Sequence, residues 1–528
     1  MKIRLTQIRQ RLDDWQLPME AIAARALRVR PEEIRSAKLI RKSVDARDKA
    51  DVHFTLTLDV ETAHALRSLP RGGQVIEDAP GAEPHYEKIA LPHRPVVVGM
   101  GPAGLFAGLE LARAGLNPLV IERGRPVEAR ARDVETFWKT GRLDPLSNVQ
   151  FGEGGAGAFS DGKLNSGIKD PRCRRVLETL HAAGAPEEIL WEAKPHIGTD
   201  KLKIAVRGLR DQIRLLGGEV RFETVLTDLR VENGRVTGAE LNGGEIFDTN
   251  HVILAVGHSA RDTFEWLHAM GVSMSPKPFA IGARIEHRQA DINRAQYGKF
   301  AGHPALGAAD YKLSVHLPGG RAVYTFCMCP GGVVVAAASE AGGAVVNGMS
   351  LFARDGENAN SALLVNVTPA DFDGDDPLAG VRFQREWERA AFLAGGADYH
   401  APAQTVGDFL KGVPSEHGGR VRPSYRPGVK WSSLDACLPG FVTGALRQAL
   451  PLLDRKLRGF ASPEAVFTGV ETRSSSPVRI ERDQNCVASL AGLYPCGEGA
   501  GYAGGIMSAA VDGMRCAEAV MNSAQTAR

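Results

Sequence analysis

Hydrophobic and polar positions alternate most clearly near the start of the chain. Between residues 52 and 60, apolar side chains occupy every second position, the period of a strand with one buried face. Residues 18–29 instead suit a helix, and a stretch rich in Pro and Gly runs from Pro70 to Pro95. These patterns predict a small α+β module followed by a linker over residues 1–90.

The pattern changes at residue 95, where an apolar strand leads into a glycine turn. The strand covers Pro95–Gly99, the turn Gly99–Gly104 and the following helix Leu105–Ala114. A second apolar strand, Pro118–Glu122, completes a βαβ unit. Residues 218–255 are typical of short strands separated by Asn-Gly turns. A strand, glycine turn and helix return near the C-terminus.

These patterns predict an α/β fold in four stretches. Residues 1–90 form the N-terminal module with its linker, and 91–265 form the first part of a Rossmann-like nucleotide-binding domain. Residues 266–460 have irregular patterning and are predicted to form an α+β substrate domain. Residues 461–528 return to the nucleotide-binding domain. At 528 residues, the chain is long enough for several domains.

The glycine turn carries the signature of a dinucleotide-binding site. Gly99 permits a tight turn, Gly101 lets a pyrophosphate approach the backbone, and Gly104 lets the helix pack closely on the strand. Pro102 and Ala103 begin the helix, whose N-terminus attracts phosphate. Glu122, at the end of the second strand, can accept hydrogen bonds from ribose hydroxyls. The alternative, a turn that needs glycine for packing only, does not account for Glu122.

Further features favour FAD over NAD as the cofactor. An Arg-rich stretch follows Glu122, the strand after residue 218 is predicted to pass the adenine, and a central strand returns at Gly257. The segment 493–506 resembles a C-terminal flavin motif, with an acid for the ribityl chain and a second helix N-terminus. The additional predicted cofactor-binding residues are Arg123, Arg130, Val225, Gly257, Gly497, Glu498, Gly504, Gly505 and Ile506.

On these motifs the chain resembles the bacterial and plastid family of FAD-dependent dehydrogenases, whose members are largely uncharacterised. The resemblance covers nearly the whole length. It implies an FAD-binding domain of the glutathione-reductase type and leaves the substrate open. Its most distinctive blocks are Ser43–Lys49, Gln150–Leu164, Thr325–Gly332, Asn347–Ser350 and Glu471–Ile480.

The first of three candidate chemical features is the loop 150–157. Its glycine density favours a loop lying against the flavin ring with backbone N–H groups aimed at it, and Gly154 and Gly155 are the predicted contacts. A surface turn is the alternative. Lys163, downstream, is expected to be exposed rather than a contact.

Cys327 and Cys329 form the second feature. They fail as a metal site, because no second ligand pair stands at a suitable spacing, and no metal is expected. A redox dithiol is one interpretation. Their apolar neighbours favour the other, a strand with buried, unreactive thiols, so both cysteines are predicted to be packing residues.

Arg473 is the third feature and the predicted catalytic residue. It stands in a Ser-rich turn shortly before the flavin motif, where a guanidinium could orient a carboxylate or carbonyl by paired hydrogen bonds. A structural ion pair with Glu471 or another acid is the alternative, since arginine is seldom buried without a partner.

Composition narrows the setting. The chain holds 64 Lys and Arg against 62 Asp and Glu, so its overall charge gives no reason to expect nucleic acid. The first 50 residues carry 13 basic and 7 acidic residues, which we interpret as a solvated basic face. No apolar run suits a membrane span or a secretory signal, and 7 scattered cysteines favour a reducing cytoplasm.

The sequence therefore predicts a cytoplasmic FAD-dependent oxidoreductase that transfers a hydride between flavin N5 and a small-molecule substrate. A flavin monooxygenase is one alternative. An RNA-associated flavoprotein that uses the basic N-terminal module is another. The absence of a second glycine turn after a strand argues against a separate NAD(P)H domain. The electron donor or acceptor and the oligomeric state stay open, and neither a membrane nor nucleic acid is an expected partner.

Overall fold

The computed structural model describes residues 1–66, 68–77, 89–372 and 374–526, so the predicted linker lies partly outside the described residues. The N-terminal unit is a four-stranded antiparallel sheet in the order β2-β3-β1-β4 with one helix. Its elements are β1 (Lys2–Arg11), α1 (Met19–Leu27), β2 (Ile34–Asp45), β3 (His53–Thr62) and β4 (Gly73–Val75). The alternation predicted over 52–60 is confirmed, because every second residue of β3 is buried.

The second stretch contains the predicted βαβ unit and a hairpin layer. Its elements are β5 (Val96–Val98), α2 (Pro102–Arg113), β6 (Leu119–Ile121), α3 (Val127–Thr140), α4 (Arg172–Ala182), α5 (Gly198–Leu215), β7 (Glu219–Arg221), β8 (Leu226–Glu232), β9 (Arg235–Leu241), β10 (Glu245–Asp248) and β11 (Val252–Leu254). Strands β8, β9 and β10 form a separate antiparallel sheet joined by the predicted Asn-Gly turns.

The remaining elements run to the C-terminal helix. They are α6 (Arg261–Ala269), β12 (Met274–Pro276), β13 (Phe279–Arg288), α7 (Gln289–Tyr297), β14 (Ser314–His316), β15 (Ala322–Cys329), β16 (Val333–Ala336), β17 (Val346–Met349), β18 (Asn358–Val367), α8 (Ala379–Ala394), β19 (Ala401–Thr405), α9 (Val406–Lys411), β20 (Val429–Trp431), α10 (Gly440–Lys456), β21 (Val466–Glu471), β22 (Val478–Ile480), β23 (Leu493–Pro495) and α11 (Ile506–Thr526).

A five-stranded parallel sheet joins distant parts of the chain in the order β23-β11-β5-β6-β7. Its strands are short and apolar on both faces, as parallel strands covered on both sides must be. One face packs against α2, α5 and α11, and the other against the β8–β10 sheet. The return of the chain to this sheet through β23 agrees with the sequence pattern.

A second sheet has seven strands in the order β14-β15-β18-β13-β21-β19-β20 and is mostly antiparallel. Its core is continuous with the apolar face of the N-terminal unit. Strand β21 pairs with β13, so this sheet uses residues beyond the predicted boundary at 460. The four predicted domain limits stay predictions. In the described part of the chain, every helix is too short or too polar to span a membrane.

Candidate active site

A cavity of about 530 Å³ lies where the two large sheets meet. Lining residues follow directly after β5, β6, β11 and β23, at the carboxyl ends of parallel strands, where open α/β sheets bind ligands. We call this side the glycine wall; it comprises the lining residues within 98–103, 122–123, 150–157, 224–226, 255–259 and 496–509. A second part of the lining, the charged wall, comprises the lining residues within 160–163, 310–312, 325–328, 347–354 and 471–474.

Most of the predicted cofactor-binding residues lie on the glycine wall. Those that line the cavity are Gly99, Gly101, Pro102, Ala103, Glu122, Arg123, Gly155, Val225, Gly257, Glu498, Gly504, Gly505 and Ile506. The remaining ones stand behind the lining: Gly104, Arg130, Gly154 and Gly497. The cavity therefore brings together motifs separated by about 400 positions in the chain.

The glycine turn has the geometry that a dinucleotide requires. Gly99 has φ +96°, a conformation that favours glycine. A Cβ at Gly104 would lie 1.8 Å from the carbonyl oxygen of Gly99, so this glycine serves packing within the turn. A Cβ at Gly101 would meet only Gly155 Cα at 3.8 Å, and one at Gly504 would meet nothing within 4 Å. The backbone at Gly101 and Gly504 thus has room for close approach by a ligand.

Glu122 is a lining residue that joins the backbone segments of the glycine wall. Its carboxylate accepts N–H bonds from Met100 (2.8 Å), Gly124 (2.9 Å) and Gly152 (3.0 Å). A carboxylate has about four acceptor sites, so three backbone donors leave about one for a ligand in the cavity. Glu122 thus ties the glycine turn to the loop 150–157 and keeps capacity for a ribose hydroxyl.

Arg130 occupies a different place from the predicted one. It is fully buried beneath the loop 150–157 and does not line the cavity. Its guanidinium donates to the carbonyl oxygens of Asn148, Val149, Gly152, Glu153 and Gly155. A buried guanidinium needs acceptors for its N–H groups, and these carbonyl oxygens supply them. In turn, Arg130 holds the loop in place.

The loop itself differs from the expectation that its N–H groups point at the flavin. The N–H groups of residues 150–155 all donate to protein acceptors; for example, Gly154 donates to the Met100 carbonyl at 2.8 Å. Gly155 lines the cavity through its Cα, while Gly154 faces Val206 and Ala158. The loop is a fixed part of the wall, and its free N–H donors can start only at residue 156.

Val225 lies on the cavity wall, as expected, but its backbone is already engaged. Its N–H donates to Asn242 Oδ1 at 2.8 Å, and its carbonyl accepts from the Asn242 N–H at 2.9 Å. The predicted backbone contact with an adenine is therefore limited to the carbonyl, which has a second lone pair.

Glu498 and Arg123 complete the glycine wall. Burial raises the pKa of Glu498 to about 7, despite the positive charge of Lys277. Arg123 stacks on Phe151, with its guanidinium 4.5 Å from the ring centroid, and pairs with Asp262 at 3.1 Å. Gly497, behind the wall, donates its N–H to Asp512.

Behind the charged wall lies a buried arginine that the sequence predictions did not include. Arg284 in β13 is fully buried and donates to Glu471 (2.5 Å), the Cys327 carbonyl (2.7 Å) and Asn347 (2.8 Å). Burial raises the pKa of Glu471 to about 7, although Arg284 opposes that shift. One signal was present in the sequence: a single arginine inside the apolar run 279–285 needs a buried partner.

Two more charged groups lie close to this pair. Asp161 is buried and binds Arg354, and Lys163 donates to the Met328 carbonyl. Lys163 was expected to be exposed; its side chain is 28% exposed and stands on the cavity wall, 3.8 Å from Asp161. The charged wall thus presents groups of both signs to the cavity.

Arg473 has contacts that favour the structural alternative. Its Nε and Nη2 donate to Glu388 at 3.0 and 2.7 Å, and its Nη1 donates to Ser259 and Ser339. Burial alone would raise the pKa of Glu388, but Arg261 and Arg473 hold it far below its usual range. Every guanidinium nitrogen of Arg473 has a protein acceptor. These bonds use four of its five N–H groups; the second N–H of Nη2 has no acceptor within 3.5 Å among the described residues, and Arg473 lines the cavity, so its catalytic role stays a prediction.

One group of side chains has the composition of a metal site. The ligand atoms of Cys496, Asp512 and Cys516 lie within 4.8 Å of one another. Asp512, however, accepts from Arg482 at 2.6 and 3.0 Å and from the Gly497 N–H at 2.7 Å. The guanidinium supplies the positive charge that a metal would bring, so this cluster is complete as an ion pair.

Comparison with known proteins identifies two regions and one full-length relative. Residues 278–474 match the model of the FAD-dependent protein, C-terminal domain-like family. Residues 2–61 match a domain of unknown function (DUF8436). An uncharacterised protein of Clostridium beijerinckii is 48% identical over 529 residues, which covers 99% of each chain.

The solved structures found by comparison have low sequence identity and low TM-scores. The flavin-dependent brominase Bmp2 is 14% identical with a TM-score of 0.39, covering 82% of this chain and 79% of its own. CtdE in complex with FAD is 12% identical with a TM-score of 0.33, covering 82% of this chain and 88% of its own.

Proposed function

We propose an oxidoreductase role for this FAD-dependent flavoprotein, which belongs to the family of the Clostridium beijerinckii protein and matches the FAD-dependent protein, C-terminal domain-like family over residues 278–474. We propose that it transfers a hydride between flavin N5 and an organic substrate. The glycine wall would hold the cofactor in a glutathione-reductase-type domain. The substrate would enter beside the charged wall.

This proposal rests on the two unlike walls that face the same cavity. The glycine wall offers backbone and two neighbouring helix N-termini: α2 begins at Pro102 and α11 at Ile506, and a Cβ at Gly157 would lie within 4 Å of both residues. Both helix ends bring partial positive charge to a pyrophosphate. The charged wall offers side chains that can orient a polar group. Hydride transfer requires reacting atoms roughly 3–3.5 Å apart, which a shared closed cavity can provide.

When bound, FAD supplies a centre that accepts or donates two electrons. The chain's own residues position and shield the reactants. Glu122 holds the glycine turn and the loop 150–157 at a fixed separation. Arg284 keeps Glu471 in place on the cavity wall, where the carboxylate can accept a hydrogen bond from a polar group of the substrate.

Anaerobic spectroscopy tests the proposed reaction. Purified protein is first heated to release the cofactor, which chromatography identifies as FAD. The FAD-loaded protein is then mixed with organic substrates under argon while flavin absorbance is followed. We expect one substrate class to bleach the flavin without oxygen and without NADH or NADPH.

The monooxygenase alternative gives the opposite result. Its flavin would be reduced by NADH or NADPH and reoxidised with insertion of oxygen into the substrate. Rapid, saturable reduction by a nicotinamide together with a hydroxylated product would overturn the hydride-transfer proposal. A second dinucleotide-binding turn would have to follow a strand, but the glycine-rich loop 150–157 lies between α3 and α4 with no strand between them in the described chain. We therefore expect NADH and NADPH to reduce the flavin slowly.

A further inference from the structure

Cys327 and Cys329 stand at a distortion in the charged wall. Strand β15 pairs regularly with β18 up to Phe326, and a bulge follows before Cys329. Cys327 has φ +41°, which a side chain other than glycine rarely adopts. Such a conformation persists only where the surrounding structure imposes it, and it is common at functional sites. An unreactive cysteine in an apolar strand does not need this backbone.

The distortion brings the two cysteines into contact. A regular strand would separate their Cα atoms by roughly 6.6 Å, near the upper end of the range for a disulfide. The bulged chain departs from that geometry, and the Cys329 thiol donates to the Cys327 carbonyl oxygen at 3.3 Å. Cys327 is half-buried and lines the cavity, and Cys329 is buried behind it.

Two cations hold this segment. Arg284 donates to the Cys327 carbonyl and Lys163 to the carbonyl of the intervening Met328. The neighbouring Cys329 thiol lowers the pKa of Cys327 against the effect of burial, and the charges of Arg284 and Lys163 lower it further. A thiolate is the reactive form of cysteine in thiol exchange.

A third cysteine, Cys437, shows how the surroundings of a thiol change its pKa. Cys437 is fully buried in the core of the seven-stranded sheet, where burial raises its pKa to about 12. Cys437 is the inert, packed thiol that the sequence predicted for Cys327 and Cys329. The pair at the cavity differs by its access, its neighbouring cations and its partner thiol.

We propose that Cys327 and Cys329 form a reversible dithiol–disulfide pair that exchanges two electrons with the flavin. Oxidation breaks two S–H bonds and forms one S–S bond. The electron pair and one proton pass to the oxidised flavin, and the second proton passes to solvent. The reverse reaction returns two electrons from the reduced flavin to the disulfide. The inference rests on the proposed placement of FAD in this cavity and is independent of the substrate.

Two measurements on the full-length protein test the pair. In glutathione redox buffers, alkylation followed by peptide mass spectrometry is expected to show a disulfide between Cys327 and Cys329, with Cys437 remaining a free thiol. Anaerobic titration of the oxidised FAD-loaded protein with dithionite is expected to consume about two electrons per protein more than titration of Cys327→Ser, because a disulfide is a two-electron couple. Cys173→Ser is the matched control and should titrate like the unmodified protein.

Either negative result overturns the proposal. If Cys327 and Cys329 stay alkylatable in oxidising glutathione, no pair forms. If the disulfide forms but the dithionite titration equals that of Cys327→Ser, the pair does not communicate with the flavin. Should Cys327→Ser fail to fold, Cys329→Ser replaces it in the titration. Both measurements use no substrate, so they are unaffected if the proposed hydride transfer proves wrong.

Discussion

The two walls of the cavity are built by different means. The glycine wall consists mostly of backbone. It is made of glycine turns, two helix N-termini and a loop that Glu122 and Arg130 hold in place. The charged wall is mainly side chains that meet across strands, such as Arg284 with Glu471. An added Cβ should therefore damage the first wall most, and a lost charge should damage the second wall and its surroundings most.

The largest effect is expected from a charge deletion beside the charged wall. Glu388→Gln removes the buried carboxylate that binds both Arg261 and Arg473, and leaves the partly exposed Glu340 to pair with both guanidiniums. Breaking a buried ion pair in this way typically costs about 3–5 kcal/mol. The free energy of unfolding, measured by urea denaturation, should fall by that amount.

Arg473→Lys tests the same network and the predicted catalytic role. Lysine cannot reproduce the paired donors, so we expect lower stability. If stability and FAD content are unchanged while only substrate turnover falls, Arg473 orients the substrate, as the sequence suggested.

A Cβ added within the glycine turn is expected to have the next largest effect. In Gly104→Ala, the new Cβ would lie 1.8 Å from the Gly99 carbonyl oxygen, so β5 and α2 must separate. We expect a loss of about 3 kcal/mol, the upper end for overpacked cores, together with weaker FAD binding. Gly244→Ala, where a Cβ meets nothing within 4 Å, is the matched control. Equal stability of the two variants would contradict the packing role.

Acid should weaken the region around Arg473. His258 donates from Nε2 to the Arg473 carbonyl at 2.9 Å, and burial lowers its pKa from 6.5 to about 4. The unfolded chain binds this proton first as pH falls, so stability decreases from pH 6.5 downward. At about 1.4 kcal/mol per pKa unit, His258 should account for about 2–3 kcal/mol by pH 4.5. Urea denaturation at pH 6.5 and pH 4.5 measures the loss in the free energy of unfolding, and His258→Gln should reduce that loss. The same pH dependence in His258→Gln and in the unmodified protein would contradict the assignment to His258.

The smallest effect is expected at Glu122. Glu122→Gln keeps the shape of the side chain but replaces the charged carboxylate, which accepts three N–H bonds, with a neutral amide. Losing charged hydrogen bonds costs about 1.5–3 kcal/mol, which corresponds to roughly ten- to a hundredfold weaker FAD binding. Reconstitution of apoprotein monitored by flavin fluorescence gives the affinity. Unchanged affinity would show that Glu122 is dispensable to the glycine wall.

The same contrast explains what the sequence could predict. The glycine wall follows from local patterns, because Gly99, Gly101 and Gly104 act within one turn and Glu122 closes the next strand. Thus the strand, turn and helix and the return of the chain at β23 were all predicted from periodicity and glycine spacing.

The charged wall depends on strand neighbours that no local pattern shows. Arg284, Cys327 and Glu471 come from β13, β15 and β21, which meet only in the folded sheet. For the same reason, the sequence could not tell that Arg473 would pair with Glu388. Arg130 was predicted to bind the cofactor because it belongs to the Arg-rich stretch after Glu122, whereas in the fold its side chain reaches carbonyl groups behind the loop.

The contacts of Arg130 also have a consequence for FAD binding. A glycine-rich loop free in solution samples many backbone conformations, and fixing each residue costs roughly 1–2 kcal/mol of entropy. Here the Arg130 guanidinium binds three carbonyl groups of the loop, at Gly152, Glu153 and Gly155, and two more just before it, at Asn148 and Val149. The protein's own hydrogen bonds thus hold the loop, which lowers the ordering cost that FAD binding would otherwise have to meet there.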